Sequence, residues 1–130
     1  MNKEELLKLL DSLELPKTEY YILSSGSMLL YGLREIAGDL DLCVSNELFE
    51  QLKVKYNLTE SDKNECGFYH ISQDIEIVPN SKENFKMEYK DGYPVESLKN
   101  ILTFKEKRNA DKDQEDIENI KRYLKENSNL

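Results

Sequence analysis

The sequence predicts an α/β fold of the α+β kind, a small mixed β-sheet flanked by helices, in one domain spanning residues 1–130. Three observations lead there. Helix-patterned and β-prone segments follow one another in the order α-β-α-β-α-β-β-α-α. Apolar residues make up 38% of the chain and charged residues 34%, a balance that builds a modest core under a polar surface. Two of the β-prone runs alternate acidic with apolar residues, as in a strand with one buried face and one face at a site.

The elements can be justified in turn. Leu6, Leu7, Leu10 and Leu13 recur at helical spacing, so residues 3–13 read as an amphipathic helix stopped by Pro16. Tyr20 to Ser24 is a short buried strand. Gly26-Ser27 is read as a turn opening a helix at Ser27 that carries Met28 to Leu33. Asp39 to Val44 is the next strand. Ser45-Asn46 caps a helix with Leu48, Phe49 and Leu52 inward. Residues 57–66 are polar and turn-rich. Phe68–Ile71 and Asp74–Val78 form one long strand or a hairpin turning near Ser72-Gln73, ended by Pro79-Asn80. Residues 80–94 read as irregular, with a turn at Asp91-Gly92. Two helices close the chain, near Glu96–Lys107 and Lys112–Lys125. The first turns Leu98, Ile101, Leu102 and Phe104 inward, the second Ile117, Ile120, Tyr123 and Leu124.

Composition narrows the function. A net charge of −8 argues against a protein that coats duplex DNA or RNA, because such binding needs a basic surface. It leaves room for a small nucleotide held by a metal and a local basic patch. No apolar run reaches the roughly 18 residues of a membrane span, and the acidic start, Met1-Asn2-Lys3-Glu4-Glu5, reads as helix rather than signal peptide. Cys43 and Cys66 lack metal-ligand spacing and read as reduced, buried thiols of a cytoplasmic protein. His70, the single histidine, does not make a zinc site with them; it reads as an ordinary strand residue.

The chemistry is carried by acids. Asp39 and Asp41 lie two apart and share a strand face, as do Asp74 and Glu76 beside the apolar Ile75 and Ile77. Three such carboxylates are hard oxygen ligands suited to Mg2+, with Mn2+ as the alternative. A glycine-bearing turn at a helix start offers backbone N–H groups to an anion. With Gly26-Ser27, Asp39/Asp41 and a third acid at Asp74 or Glu76, the chain resembles the nucleotidyltransferase superfamily of DNA polymerase beta. Tyr31-Gly32-Leu33-Arg34 resembles the small bacterial members, as do Ser97-Leu98 through Lys105, Lys107-Arg108 and the run from Lys112 to Ile117. The likeness covers roughly residues 20–125. Asp74-Ile75-Glu76-Ile77-Val78-Pro79 has the shape of an acid on a strand closed by proline, which favours Asp74; the small bacterial members favour Glu76, and both stay open.

The resemblance implies a nucleotidyltransferase fold and a mechanism. A nucleoside triphosphate would sit with its phosphates over Gly26 and Ser27, with Arg34, Lys105 or Arg108 supplying positive charge. Asp39 and Asp41 would ligate the Mg2+ on the triphosphate, and Asp74 or Glu76 would help hold a second Mg2+ that lowers the pKa of the acceptor hydroxyl. A nucleoside monophosphate would pass to a hydroxyl of a small molecule, a protein or an RNA end, with release of pyrophosphate. The alternative is a non-catalytic relative that binds a nucleotide or a partner protein, such as a toxin–antitoxin component, with the last two helices as partner surface; a shared site in a homodimer is a further arrangement. A third reading is a structural protein whose pattern is coincidental. In the plainest reading of the tail, Asp113 and Asp116 cap the last helix, and the Lys105–Arg108 cations form its solvated neighbour.

Overall fold

The computed structural model describes residues 1–127. In chain order these form α1 (Lys3–Ser12), β1 (Tyr20–Ile22), α2 (Ser24–Leu30), β2 (Leu40–Ser45), α3 (Asn46–Lys55), β3 (Tyr69–Ser72), β4 (Ile75–Asn80), β5 (Met87–Lys90), β6 (Tyr93–Glu96), α4 (Leu98–Arg108) and α5 (Gln114–Glu126). Short 3-10 turns occur at Glu60–Asp62, Lys82–Asn84 and Asp111–Asp113. The architecture is therefore mixed α+β.

One six-stranded sheet runs in the order β3-β4-β2-β1-β6-β5. β2 lies parallel to β4, and β1 parallel to β6, while β1–β2, β3–β4 and β5–β6 are antiparallel. Register and period-2 alternation then sort every strand residue onto one of two faces. Tyr20, Ile22, Leu40, Leu42, Val44, Ile75, Ile77 and Val95 share the core face. They pack against Leu6 and Leu10 of α1, Leu29 and Leu30 of α2, and Leu48, Phe49 and Leu52 of α3. A second cluster of Met28, Leu98, Ile101 and Ile120 fastens α4 and α5 to α2.

The opposite parity places Tyr21, Asp41, Cys43, Glu76, Val78 and Glu96 on the other face. The link from β4 to β5 reaches this face, where Phe85 meets Tyr21 edge-on at 4.8 Å between ring centroids. Burial beneath it raises the Tyr21 hydroxyl and the Cys43 thiol above their usual pKa values.

Several expectations change. α2 begins at Ser24, so Gly26 and Ser27 lie within its first turn rather than before it. Residues 80–94 are not irregular: they contain β5 and the start of β6, joined by a tight turn. Asp91 and Gly92 both adopt positive φ, 54° and 83°, as a two-residue type I′ hairpin requires. The β3–β4 pair is the hairpin alternative, turning at Gln73-Asp74. Phe104 is 59% exposed, lying against the Arg108 guanidinium rather than inward. Cys43 is buried as expected, but Cys66 is exposed. No helix among the described residues is long and apolar enough to cross a membrane.

Candidate active site on the open sheet face

Parallel pairing of β2 with β4 makes Asp41 and Glu76 register partners, Leu40 facing Ile75 on one side and Leu42 facing Ile77 on the other. Strands in register stand about 4.8 Å apart, so the two carboxylates are neighbours on the open face. Asp39 sits one alternation earlier, in the bend that leads into β2. That bend is pinned by Met1 and Ala37, which exchange backbone hydrogen bonds of 2.7 and 2.8 Å. Asp41 records the crowding. Burial first, then Glu76 and Asp39, pushes its pKa up to about 6, opposed by His70. Its Oδ1 is fully buried and has no hydrogen-bond partner.

Of the two candidates for the third acid, Glu76 is the one brought to Asp41. Asp74 stays outside β4, exposed in the hairpin turn, and its carbonyl accepts the Leu40 N–H at 2.8 Å. Two expectations are corrected alike, that Asp39 shares a strand face with Asp41 and Asp74 with Glu76: β2 and β4 each start one residue too late, at Leu40 and Ile75, and of the two exposed acids only Asp39 is among the charges acting on Asp41.

The glycine-bearing junction does lie beside the acids, since the Leu23 N–H donates to the Asp41 carbonyl at 2.9 Å. Its groups, however, have structural partners. The Ser27 hydroxyl is fully buried and donates to the Glu96 carbonyl at 2.7 Å, so it serves α2–β6 packing rather than a phosphate. Gly26 lets α2 close on β1: a Cβ there would stand 2.6 Å from Cγ2 of Ile22. The Ser24 N–H, in a left-handed conformation with φ 48°, donates to Glu96 Oε1 at 2.8 Å. Glu96 Oε2 accepts from Asn100 Nδ2 at 2.5 Å. Glu96 is 8% exposed, and burial raises its carboxyl pKa against the pull of these donors and of Lys105.

The three expected phosphate cations gather elsewhere. Lys105 Nζ lies 3.1 Å from Asp113 and 3.3 Å from Asp116, Arg108 grips Asp113 at 2.6 and 2.8 Å, and Arg34 reaches Asp116 at 3.2 Å. Asp113 and Asp116 are buried, so they are more than helix caps: they neutralise these cations and tie α4, α5 and the 31–38 segment together. The Arg108 guanidinium and Lys105 ammonium hold the Asp113 carboxyl far below the usual carboxylate range. An open cleft of about 580 Å³ borders this cluster, lined by Arg34, Glu35, Ile36, Glu115, Asp116 and Asn119. Asp39, Asp41 and Glu76 do not line it. The acids, not the cleft, carry the unsatisfied chemistry.

His70 and Glu96 are the residues that sequence reasoning passed over. His70 is the register partner of Glu76 across the β3–β4 hairpin, with Nε2 3.1 Å from Glu76 Oε1. The expected hairpin, turning at Ser72-Gln73, would have set Tyr69 rather than His70 opposite Glu76; the observed turn and a register shift bring the histidine there. Glu96 lay at the start of an expected helix, and only the β1–β6 crossover brings it to α2.

Among the described residues, no three His, Cys, Asp or Glu side chains form a ready-made metal cage. Mg2+, though, is commonly bound through one or two carboxylates, its shell completed by water and substrate phosphate. On donor chemistry, and with one buried acceptor oxygen lacking a donor, Asp39, Asp41 and Glu76 fit such an ion. Comparison with protein-family models, curated proteins and solved structures finds no match.

Proposed function

We propose that the chain is a metal-dependent nucleotidyltransferase of the DNA polymerase beta type, with Asp39, Asp41 and Glu76 as the acids that hold Mg2+ or Mn2+. The single observation behind this reading is the buried, unpartnered Oδ1 of Asp41, set in register with Glu76 beside the β1–α2 junction. A carboxylate left in that state costs stability, and a cation is the simplest group that would repay it. When bound, the ion supplies charge neutralisation for a triphosphate and for the leaving pyrophosphate.

The chain's own residues have the remaining tasks. Asp39 and Asp41 fix the edge of β2 on which the triphosphate would rest. Glu76 presents its carboxylate from the neighbouring strand, toward the side where an acceptor hydroxyl would approach. In the transfer, the acceptor oxygen bonds to the α phosphorus and the bond from that phosphorus to the bridging oxygen breaks. Pyrophosphate leaves with that electron pair, and the acceptor's proton passes to solvent.

One set of observations favours a second reading, a non-catalytic nucleotide-binding relative of the kind that serves as a toxin–antitoxin component. Arg34, Lys105 and Arg108 are committed to Asp113 and Asp116, and Glu96 already occupies the Ser24 N–H. A thermal-shift series with each nucleoside triphosphate, with and without Mg2+, tests both. Mg2+ plus at least one triphosphate should stabilise the parent, by about 2.7 kcal/mol at a hundredfold excess over Kd, and leave Asp39→Ala/Asp41→Ala unshifted. Equal shifts in parent and variant would remove the carboxylate assignment. Stabilisation without pyrophosphate release in the presence of candidate acceptors would select the second reading.

A further inference from the structure

We propose that His70 is a positioning residue of the candidate centre: it holds one oxygen of Glu76 and leaves the other to the cation. The inference rests on the reading that Glu76 is a metal ligand, and deepens it by assigning the residue that aims that ligand.

The β3–β4 hairpin carries a break in its register. Its two-residue turn pairs Ser72 with Ile75. Unbroken pairing from there would set Ile71 opposite Glu76 and His70 opposite Ile77. A register shift between His70 and Ser72 intervenes, and the observed pairs are His70 with Glu76 and Tyr69 with Ile77. The irregularity thus exchanges an isoleucine for a histidine beside the acid, on the open face. Bulges re-aim side chains in this way at sheet edges and near sites.

Side-chain geometry agrees. His70 Nε2 stands 3.1 Å from Glu76 Oε1, with the histidine 50% exposed and the glutamate 17% exposed. The contact is a charge-type approach of imidazole to carboxylate, and among the described residues it is the ion pair that Glu76 makes. His70 is also the basic group that acts on Asp41, against the combined influence of burial, Glu76 and Asp39. Edge placement on β3 leaves the ring reachable from solvent while Glu76 stays half-buried. Partners that orient a ligating carboxylate commonly contribute 10–100-fold to metal affinity.

The test is Mn2+ affinity, read from the electron paramagnetic resonance of free Mn2+, in the parent, His70→Ala, His70→Gln, Glu76→Gln and the His70→Ala/Glu76→Gln pair. Glutamine keeps an N–H donor near the position of Nε2 without titrating. Melting temperatures confirm that each variant is folded. The expected result is about 10–100-fold weaker binding in His70→Ala, most of it recovered in His70→Gln. No further loss from His70→Ala is expected once Glu76 is Gln, because the effect runs through that carboxylate. Parent-like affinity in His70→Ala, or equal losses in the alanine and glutamine variants, would overturn the positioning role while the metal site stands. Failure of the parent itself to bind Mn2+ would instead bring down the metal reading, and this inference with it.

Discussion

Asp41 is the residue on which the proposed chemistry turns, and its ionisation has a measurable consequence. Its proton is held more tightly in the folded chain than in the unfolded one, because the pKa rises from the usual 3.8 to about 6. Well below pH 3.8 the group is protonated in both states and imposes no penalty. As pH rises from 4 to 6 the unfolded chain ionises first, so stability falls across that window and stays lower above it. Asp41→Asn should therefore stabilise the apo protein above pH 6, by on the order of 1 kcal/mol after allowance for partial solvent access, and give little gain at pH 4. Denaturant unfolding of both proteins at pH 4 and pH 7.5 checks this; the same difference at both pH values would contradict the crowding of Asp41 by burial and by its acidic neighbours. The asymmetry in what could be read here is physical. The shared face of Asp41 and Glu76 follows from the two-residue alternation of their strands, whereas Asp39 and Asp74 fall just outside those strands, where alternation no longer fixes a face. His70 and Glu96 were not legible, because their partners come from hairpin register and from a crossover, which residue spacing alone does not encode.

At the scale of elements, the β1–α2 junction shows how one motif supports two different accounts. Gly26-Ser27 read as a turn because glycine and serine favour turns. The chain instead starts α2 at Ser24, with Leu23 extended as its N-cap. Glycine then serves close packing: α2 rides on β1 with no room for a methyl group between Gly26 and Ile22. Gly26→Ala should cost about 1–3 kcal/mol through overpacking. A chemical-denaturation comparison tests it; unchanged stability would mean that Gly26 is kept for ligand approach instead. The hairpin of β5 and β6 went unread for another reason. Its Asp91-Gly92 turn was visible, yet Pro94 and the polar alternation of Met87–Lys90 look unlike a buried strand. Pro94 nevertheless pairs opposite Tyr89, and β6 becomes the parallel neighbour of β1. The helices were placed more closely, α3 and α4 starting at Ser45 and Ser97 caps that accept from the N–H groups of Leu48 and Asn100.

For the whole molecule, charge is divided by location. The helical end of the protein pairs its cations internally, through Lys105, Arg108 and Arg34 with Asp113 and Asp116. The open sheet face keeps Asp41 and Glu76 with a single histidine against them. Within the overall charge of −8, Asp41 and Glu76 form a local acidic pair over the sheet with His70 beside them. This division was not visible in the chain, since like and unlike charges interleave along the tail and only the packing of α4 on α5 sorts them into pairs. The alternation of helices and strands did foreshadow a helix-backed mixed sheet; the order of its strands, with two parallel crossovers, required the fold.

In the proposed site, acids of β2 and β4 converge to bind a cation. Paramagnetic broadening of amide signals by substoichiometric Mn2+ in 15N-labelled protein measures where such an ion goes. The account predicts that the amides of Asp41, Glu76, Leu23 and Ser24 broaden first, and that Asp41→Asn abolishes the pattern. Broadening that begins instead along Glu115–Asn119, at the cleft beside Arg34, would contradict it.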